Sequence, residues 1–85
     1  MRIIFSPDAL EDYAYFKRHA PKTAEKIKRL MENIMQTPHS GLGKPEPLKY
    51  DLSGYWSRRI DREHRLVYKV YEETLYIASC RFHYR

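Results

Sequence analysis

Between Gly41 and Tyr68 the chain reads GLGKPEPLKYDLSGYWSRRIDREHRLVY, and there Glu46, Lys49, Arg58, Arg59 and Arg65 alternate with residues that look like strand core. A carboxylate in that company can face several fixed cations. It can take up a proton, while guanidinium groups hold the extra negative charge of a pentavalent phosphorane in a rigid, always-ionised fork. The carboxy-terminal RFHYR adds His83, and an imidazole is the side chain that ordinarily titrates near neutral pH. Transfer of an RNA phosphodiester to its own 2′-oxygen requires a base for the 2′-OH, an acid for the departing 5′-oxygen and cations for the phosphate. It requires no metal or other cofactor. Glu46, His83, Arg59 and Arg65 match those requirements; DNA, lacking the 2′-OH, would not react by this route. Taken singly, a terminal His-Tyr is ordinary polar surface and a Glu between prolines is ordinary loop solvation. Their occurrence together is what points to chemistry.

Composition sets the bounds. The 85 residues form one small domain (1–85), and 16 Lys plus Arg against 11 Asp plus Glu give a formal charge of +5. Such a charge favours a polyanionic partner through counterion release, without choosing between nucleic acid, an acidic protein and a membrane surface. An apolar run of ~18 residues is absent, as is a charged-then-apolar leader, so the expectation is a cytoplasmic protein that does not span a membrane. The single cysteine, Cys80 in IASC, reads as a small buried side chain. His39, His64 and His83 are scattered and neither HExxH nor CxxC occurs, which argues against a metal site. GLGKPEP is not a phosphate-cradling glycine loop, and there is no GxSxG elbow to expose a serine.

The elements that must position these groups follow from periodicity. Arg2 to Phe5 reads as a strand, ended by Ser6-Pro7, an N-cap followed by a proline suited to the first helical position. Ala9, Tyr13, Phe16 and Ala20 define the buried face of a first helix, with Glu11, Asp12, Lys17 and Arg18 pointing elsewhere. Pro21 opens a second helix with the stripe Ala24, Ile27, Leu30, Met31, Ile34, Met35. Its opposite row, Lys22, Lys26 and Arg29, is either a solvated face or a contact for nucleic acid or an acidic partner. His39 to Pro47 reads as loop. Four strand patterns follow, LKYDL, YWSRRI, HRLVYKVY and TLYIASCRF, separated by turns at Ser53-Gly54, Asp61 to Glu63 and Glu72-Glu73. Period two places His64, Leu66, Tyr68 and Val70 on the core side and leaves Arg59 and Arg65 on an open face. The fold class is therefore α+β: both N-terminal helices on one face of a mostly antiparallel sheet.

The dense match in GKPEPLKYDLSGYWSRRIDREHRLVY and in CRFHY resembles the YoeB-type toxins of the RelE/ParE superfamily, toxic partners of YefM-type antitoxins in bacterial type II modules. The resemblance runs essentially from end to end. It implies a microbial RNase-like fold with a curved sheet, and cleavage of messenger RNA in the ribosomal A site by 2′-OH attack, leaving a 2′,3′-cyclic phosphate and a 5′-hydroxyl. It implies Glu46 in KPEP as general base, His83 in FHY as general acid and Arg65 in EHRLVY as the phosphorane stabiliser. Lys49 in PLK and Arg59 in SRR would bind the scissile phosphate, and Tyr84 would position the RNA. The partners implied are mRNA, the ribosome, a YefM-type antitoxin and a second copy in a homodimer. Arg85 follows the usual His-Tyr ending and adds a cation beside Tyr84. Two rivals remain: a gyrase-directed toxin of the ParE branch, which does not need this set, and a ribosome or RNA binder without chemistry.

Overall fold

The computed structural model describes residues 1–82. Strand β1 (Arg2–Phe5) leads into helices α1 (Pro7–His19) and α2 (Pro21–Gln36), followed by strands β2 (Glu46–Pro47), β3 (Trp56–Arg59), β4 (Arg65–Tyr71) and β5 (Thr74–Ser79). The five strands form one sheet in the order β1-β5-β4-β3-β2. From β2 to β5 the sheet is an antiparallel meander, whereas β1 pairs parallel to β5. The α+β architecture expected from the sequence is the observed one, with the helices packed on the sheet.

Local chemistry explains the helix boundaries. The Ser6 Oγ accepts the Ala9 N–H at 3.0 Å, satisfying one of the free donors of the first turn, and donates to the Ala78 carbonyl at 2.7 Å. Pro21 starts α2 where a missing N–H does no harm. Ala24, Ile27, Leu30, Met31 and Ile34 of α2 are buried against Leu66, Tyr68, Leu75 and Ile77 of the sheet. Burial of each large aliphatic chain contributes roughly 1.5–3 kcal/mol. Cys80 lies in this core, fully buried, as expected. On α1, Ala9, Asp12 and Phe16 are buried. Asp12 was expected to face outward, but spacings of three and four put it on the same stripe as Ala9 and Phe16.

A second correction concerns Leu48 to Leu52, expected as the first strand after the loop. Tyr50–Leu52 is instead a 3₁₀ turn, with Leu52 N–H bonded to Lys49 O at 3.1 Å and Tyr55 N–H to Leu52 O at 3.0 Å. The Leu48, Tyr50, Leu52 alternation mimics a half-buried strand, yet Tyr50 is 92% exposed and has a left-handed backbone, φ 58°. The strand contact falls earlier, on Glu46–Pro47, within the segment read as loop. Proline is admissible there because β2 is an edge strand.

Candidate active site

Glu46 owes its position to a loop fastened from beneath. Arg58 is fully buried on the helix side of β3. Its guanidinium donates to Tyr68 Oη at 3.1 Å, to the carbonyls of Leu42 (3.0 Å), Thr37 (2.6 Å) and Ser40 (2.7 Å), and to Asn33 Oδ1. Asn33 Oδ1 also accepts the Leu42 N–H at 3.1 Å, and the Tyr68 hydroxyl donates to Pro38 O at 2.7 Å. Burial holds the Tyr68 phenol above its ordinary pKa, with the Arg58 hydrogen bond and charge acting the other way. The loop then runs against β3. Arg59 N–H donates to Gly43 O at 2.6 Å and Leu48 N–H to Tyr55 O at 2.9 Å, and between these two bonds stand Pro45, Glu46 and Pro47. Gly43 has φ 80°, and a Cβ on it would sit 3.0 Å from Arg59 O and 3.1 Å from Arg58 Cβ and Leu30 Cδ2. Only glycine allows the loop this close.

Register places the polar groups. Glu46 lies opposite Ser57, Ser57 opposite Val67, and Arg59 opposite Arg65. Directly paired residues share a face, as do residues two apart along a strand. Glu46, Ser57, Arg59 and Arg65 therefore all belong to the face away from the helices. Arg58, one residue out of phase, does not, as period two along YWSRRI implies. Two arginines facing each other repel. Among the described residues no carboxylate pairs with either; Arg65 makes only a long contact, 3.4 Å, to the Asp61 carbonyl. A cleft of about 610 Å³ adjoins them, walled by Lys26, Lys44, Arg59, Arg62 and Arg65, with Asp61 the one carboxylate among its described lining residues. Lys26, from the basic row of α2, donates to Ile60 O at 3.2 Å and so belongs to this wall, whereas Lys22 and Arg29 remain on the exposed surface. Such a cleft can receive an anion, and the exposed Glu46 lies opposite Ser57, two residues along β3 from Arg59.

The model for the YoeB-like toxin of bacterial type II toxin-antitoxin systems matches residues 5–84. The chain belongs to this family. Toxin YoeB of Escherichia coli strain K12 is 49% identical over 84 residues, which is 99% of this chain and 100% of the relative. The YoeB/ParE toxin from Agrobacterium tumefaciens superposes with a TM-score of 0.96 at 46% identity, covering 99% of this chain and 100% of its own. The toxin of the YoeB-YefM complex from Staphylococcus aureus gives 0.93 at 49% identity, covering 99% and 98%; a YoeB dimer from the same organism matches equally well.

Of the residues expected in the site of this YoeB-family toxin, Glu46, Arg59 and Arg65 come together on one face. Lys49 is exposed at the start of the 3₁₀ turn and lines no part of the basic cleft. His83 and Tyr84 lie outside the described residues. The chain just before them is fastened: Phe82 N–H donates to His64 Nδ1 at 2.7 Å, and Arg65 N–H donates to Phe82 O at 2.8 Å. An accepting Nδ1 places the ring proton on Nε2, which is 3.7 Å from Glu63 Oε1. The sequence reading named Arg58 among the cations and His64 among the core residues, but it missed that Arg58 fastens the loop and that His64 holds Phe82, and it did not single out Gly43. For Arg58 a signal exists: period two along YWSRRI puts it on the face of Trp56 and Ile60, and a buried guanidinium there must be satisfied at its donors. Nothing local marked Gly43 as a point of close approach.

Proposed function

We propose that this toxin is a metal-independent endoribonuclease that cuts messenger RNA in the ribosomal A site and thereby stops translation. The observation that carries the reading is the register that sets Glu46 on the same open face as Arg59 and Arg65, which pair with no carboxylate among the described residues. In the proposed step Glu46 removes the proton of the 2′-OH, and the 2′-oxygen attacks the adjacent phosphorus. Arg65 and Arg59 hold the phosphorane's charge, Lys49 helps to bind the phosphate, and His83 gives a proton to the departing 5′-oxygen. Tyr84 positions the RNA beside the leaving group. The products are a 2′,3′-cyclic phosphate and a 5′-hydroxyl, so the proton balance closes without water or a metal ion. A carboxylate and an imidazole acting as such a pair are typically worth ~10² to 10⁴ in rate each.

The relatives from Staphylococcus aureus, solved as a YoeB-YefM complex and as a YoeB dimer, support a YefM-type antitoxin and a second copy as protein partners. The ribosome supplies the remaining polyanionic surface. No helix among the described residues is long and apolar enough to cross a membrane, and a toxin that acts on translating ribosomes works in the cytoplasm. The test is translation-coupled mRNA cleavage by wild type, Glu46→Ala and His83→Ala. Loss of about 10²-fold or more in both variants, with unchanged melting, is expected. Cleavage at the wild-type rate by both would overturn the catalytic assignment and leave a non-catalytic RNA or ribosome binder.

A further inference from the structure

The open face has a second half that the proposed chemistry does not use. Ile4 of β1 lies opposite Tyr76 of β5, and Tyr76 opposite Lys69 of β4. The Lys69 ammonium stands 5.7 Å from the centre of the Tyr76 ring and 5.0 Å from that of Tyr55, the residue that leads into β3. Together with Tyr71, 62% exposed, these side chains line a cleft of about 440 Å³ with no carboxylate among its described lining residues. Its size falls within the ordinary range of small-ligand sites, ~300–1,000 Å³.

We propose that Tyr55, Lys69 and Tyr76 form a nucleobase-binding subsite for the nucleotide next to the scissile phosphate. The proposal deepens the reading of this face as an RNA site and rests on it. Tyr55 is two residues from Ser57, which faces Glu46; two strand residues span roughly 7 Å. A single strand with its phosphate at Arg59 and Arg65 and its 2′-OH at Glu46 therefore continues directly over Tyr55 and Lys69. The chemistry fits that occupant: ring faces stack on any base, while a cation held between two rings offers charge to the neighbouring phosphate. A peptide lying here would have to supply a carboxylate to Lys69, because the described lining residues supply none. Arg59, Ser57 and Tyr55 run in one row along β3 and its lead-in, with Arg65, Val67 and Lys69 beside them on β4.

Two measurements test the proposal. In the first, Glu46→Gln toxin is titrated with a 2′-O-methyl hexaribonucleotide and the tyrosine ring resonances are followed by NMR. Shifts at Tyr55 and Tyr76 are expected; shifts confined to the Arg59 and Arg65 side overturn the proposal. In the second, ribosome-coupled cleavage is measured for the Tyr55→Ala/Tyr76→Ala pair and for the matching Phe pair. The Ala pair should raise KM about tenfold with kcat kept, and the Phe pair should restore wild-type KM because the stacking faces remain. An unchanged KM in the Ala pair overturns it. So does loss of YefM-type antitoxin binding without any ring shift on RNA, since the row would then be a protein contact. Failure of the nuclease reading is separable: Glu46→Ala would cut like wild type while the oligonucleotide still moved the rings.

Discussion

Replacing Arg58 should unfasten the loop that carries Glu46 without touching any group assigned to the reaction. The guanidinium is fully buried and donates to five neutral acceptors, on Asn33, Thr37, Ser40, Leu42 and Tyr68. Hydrogen bonds from a charged donor are worth about 1.5–3 kcal/mol each, and five would equal the roughly 5–15 kcal/mol of a whole domain. Desolvation of the buried cation offsets much of that sum. In Arg58→Met the carbonyls of Thr37, Ser40 and Leu42, all on exposed residues, can turn to water, and Tyr68 still donates to Pro38 O. What remains is a broken buried network and an under-satisfied Asn33, about 3–4 kcal/mol. At ~4–8 °C per kcal/mol for a domain of this size, the melting temperature should fall by roughly 12–30 °C. Circular dichroism melts and urea titrations of wild type, Arg58→Lys and Arg58→Met would measure it. Lys keeps the charge but cannot span the acceptors, so it should resemble Met. If Arg58→Lys stays within about 0.5 kcal/mol of wild type, the fork geometry is not what holds the loop and the argument fails. Amide exchange gives an independent reading: the Leu42 and Arg59 N–H groups, bonded to Asn33 Oδ1 and Gly43 O, should lose protection beyond the global change.

Gly43→Ala combines a left-handed φ with contacts of 3.0 and 3.1 Å to β3 and α2, and should lower stability by about 1–3 kcal/mol. Gly54→Ala, at φ 96° with open space around it, should lose less, about 1 kcal/mol; equal urea midpoints for the two variants would contradict the close-approach argument. Ser6→Ala removes the cap on α1 and the bond to Ala78 O, and a loss of about 1–2 kcal/mol is expected in the same titration. Burial raises the Tyr68 and Tyr13 phenols above their ordinary value of 10.0, so the folded chain holds those protons more tightly than the unfolded one. Their contribution is complete below about pH 10 and is lost as pH rises through the folded values. Tyr68→Phe should therefore flatten the fall of the urea midpoint between pH 9 and 11, and an unaltered slope would show that Tyr68 does not titrate with unfolding.

Much of this molecule could be read from local pattern. Ser6-Pro7, the α2 stripe from Ala24 to Ile34 and the alternation in β3 and β4 are consequences of helix and strand periods, and these alone implied two helices, a meander and an open face bearing Arg59 and Arg65. Arg59 and Arg65 could be placed in advance because residue type and phase do not depend on distant neighbours, whereas Glu46, in a segment read as loop, could be named by residue type alone. Lys49, Tyr50 and Leu52 misled, since a short apolar alternation fits a strand and a 3₁₀ turn equally until the backbone donors find their acceptors. Tertiary structure decided the rest. The parallel seat of β1 against β5, the transfer of strand pairing to Glu46–Pro47 and the burial of Arg58 beneath the loop all join residues far apart in the chain. A buried guanidinium needs acceptors that only the assembled loop provides, and a carboxylate meets an arginine pair only once register is set.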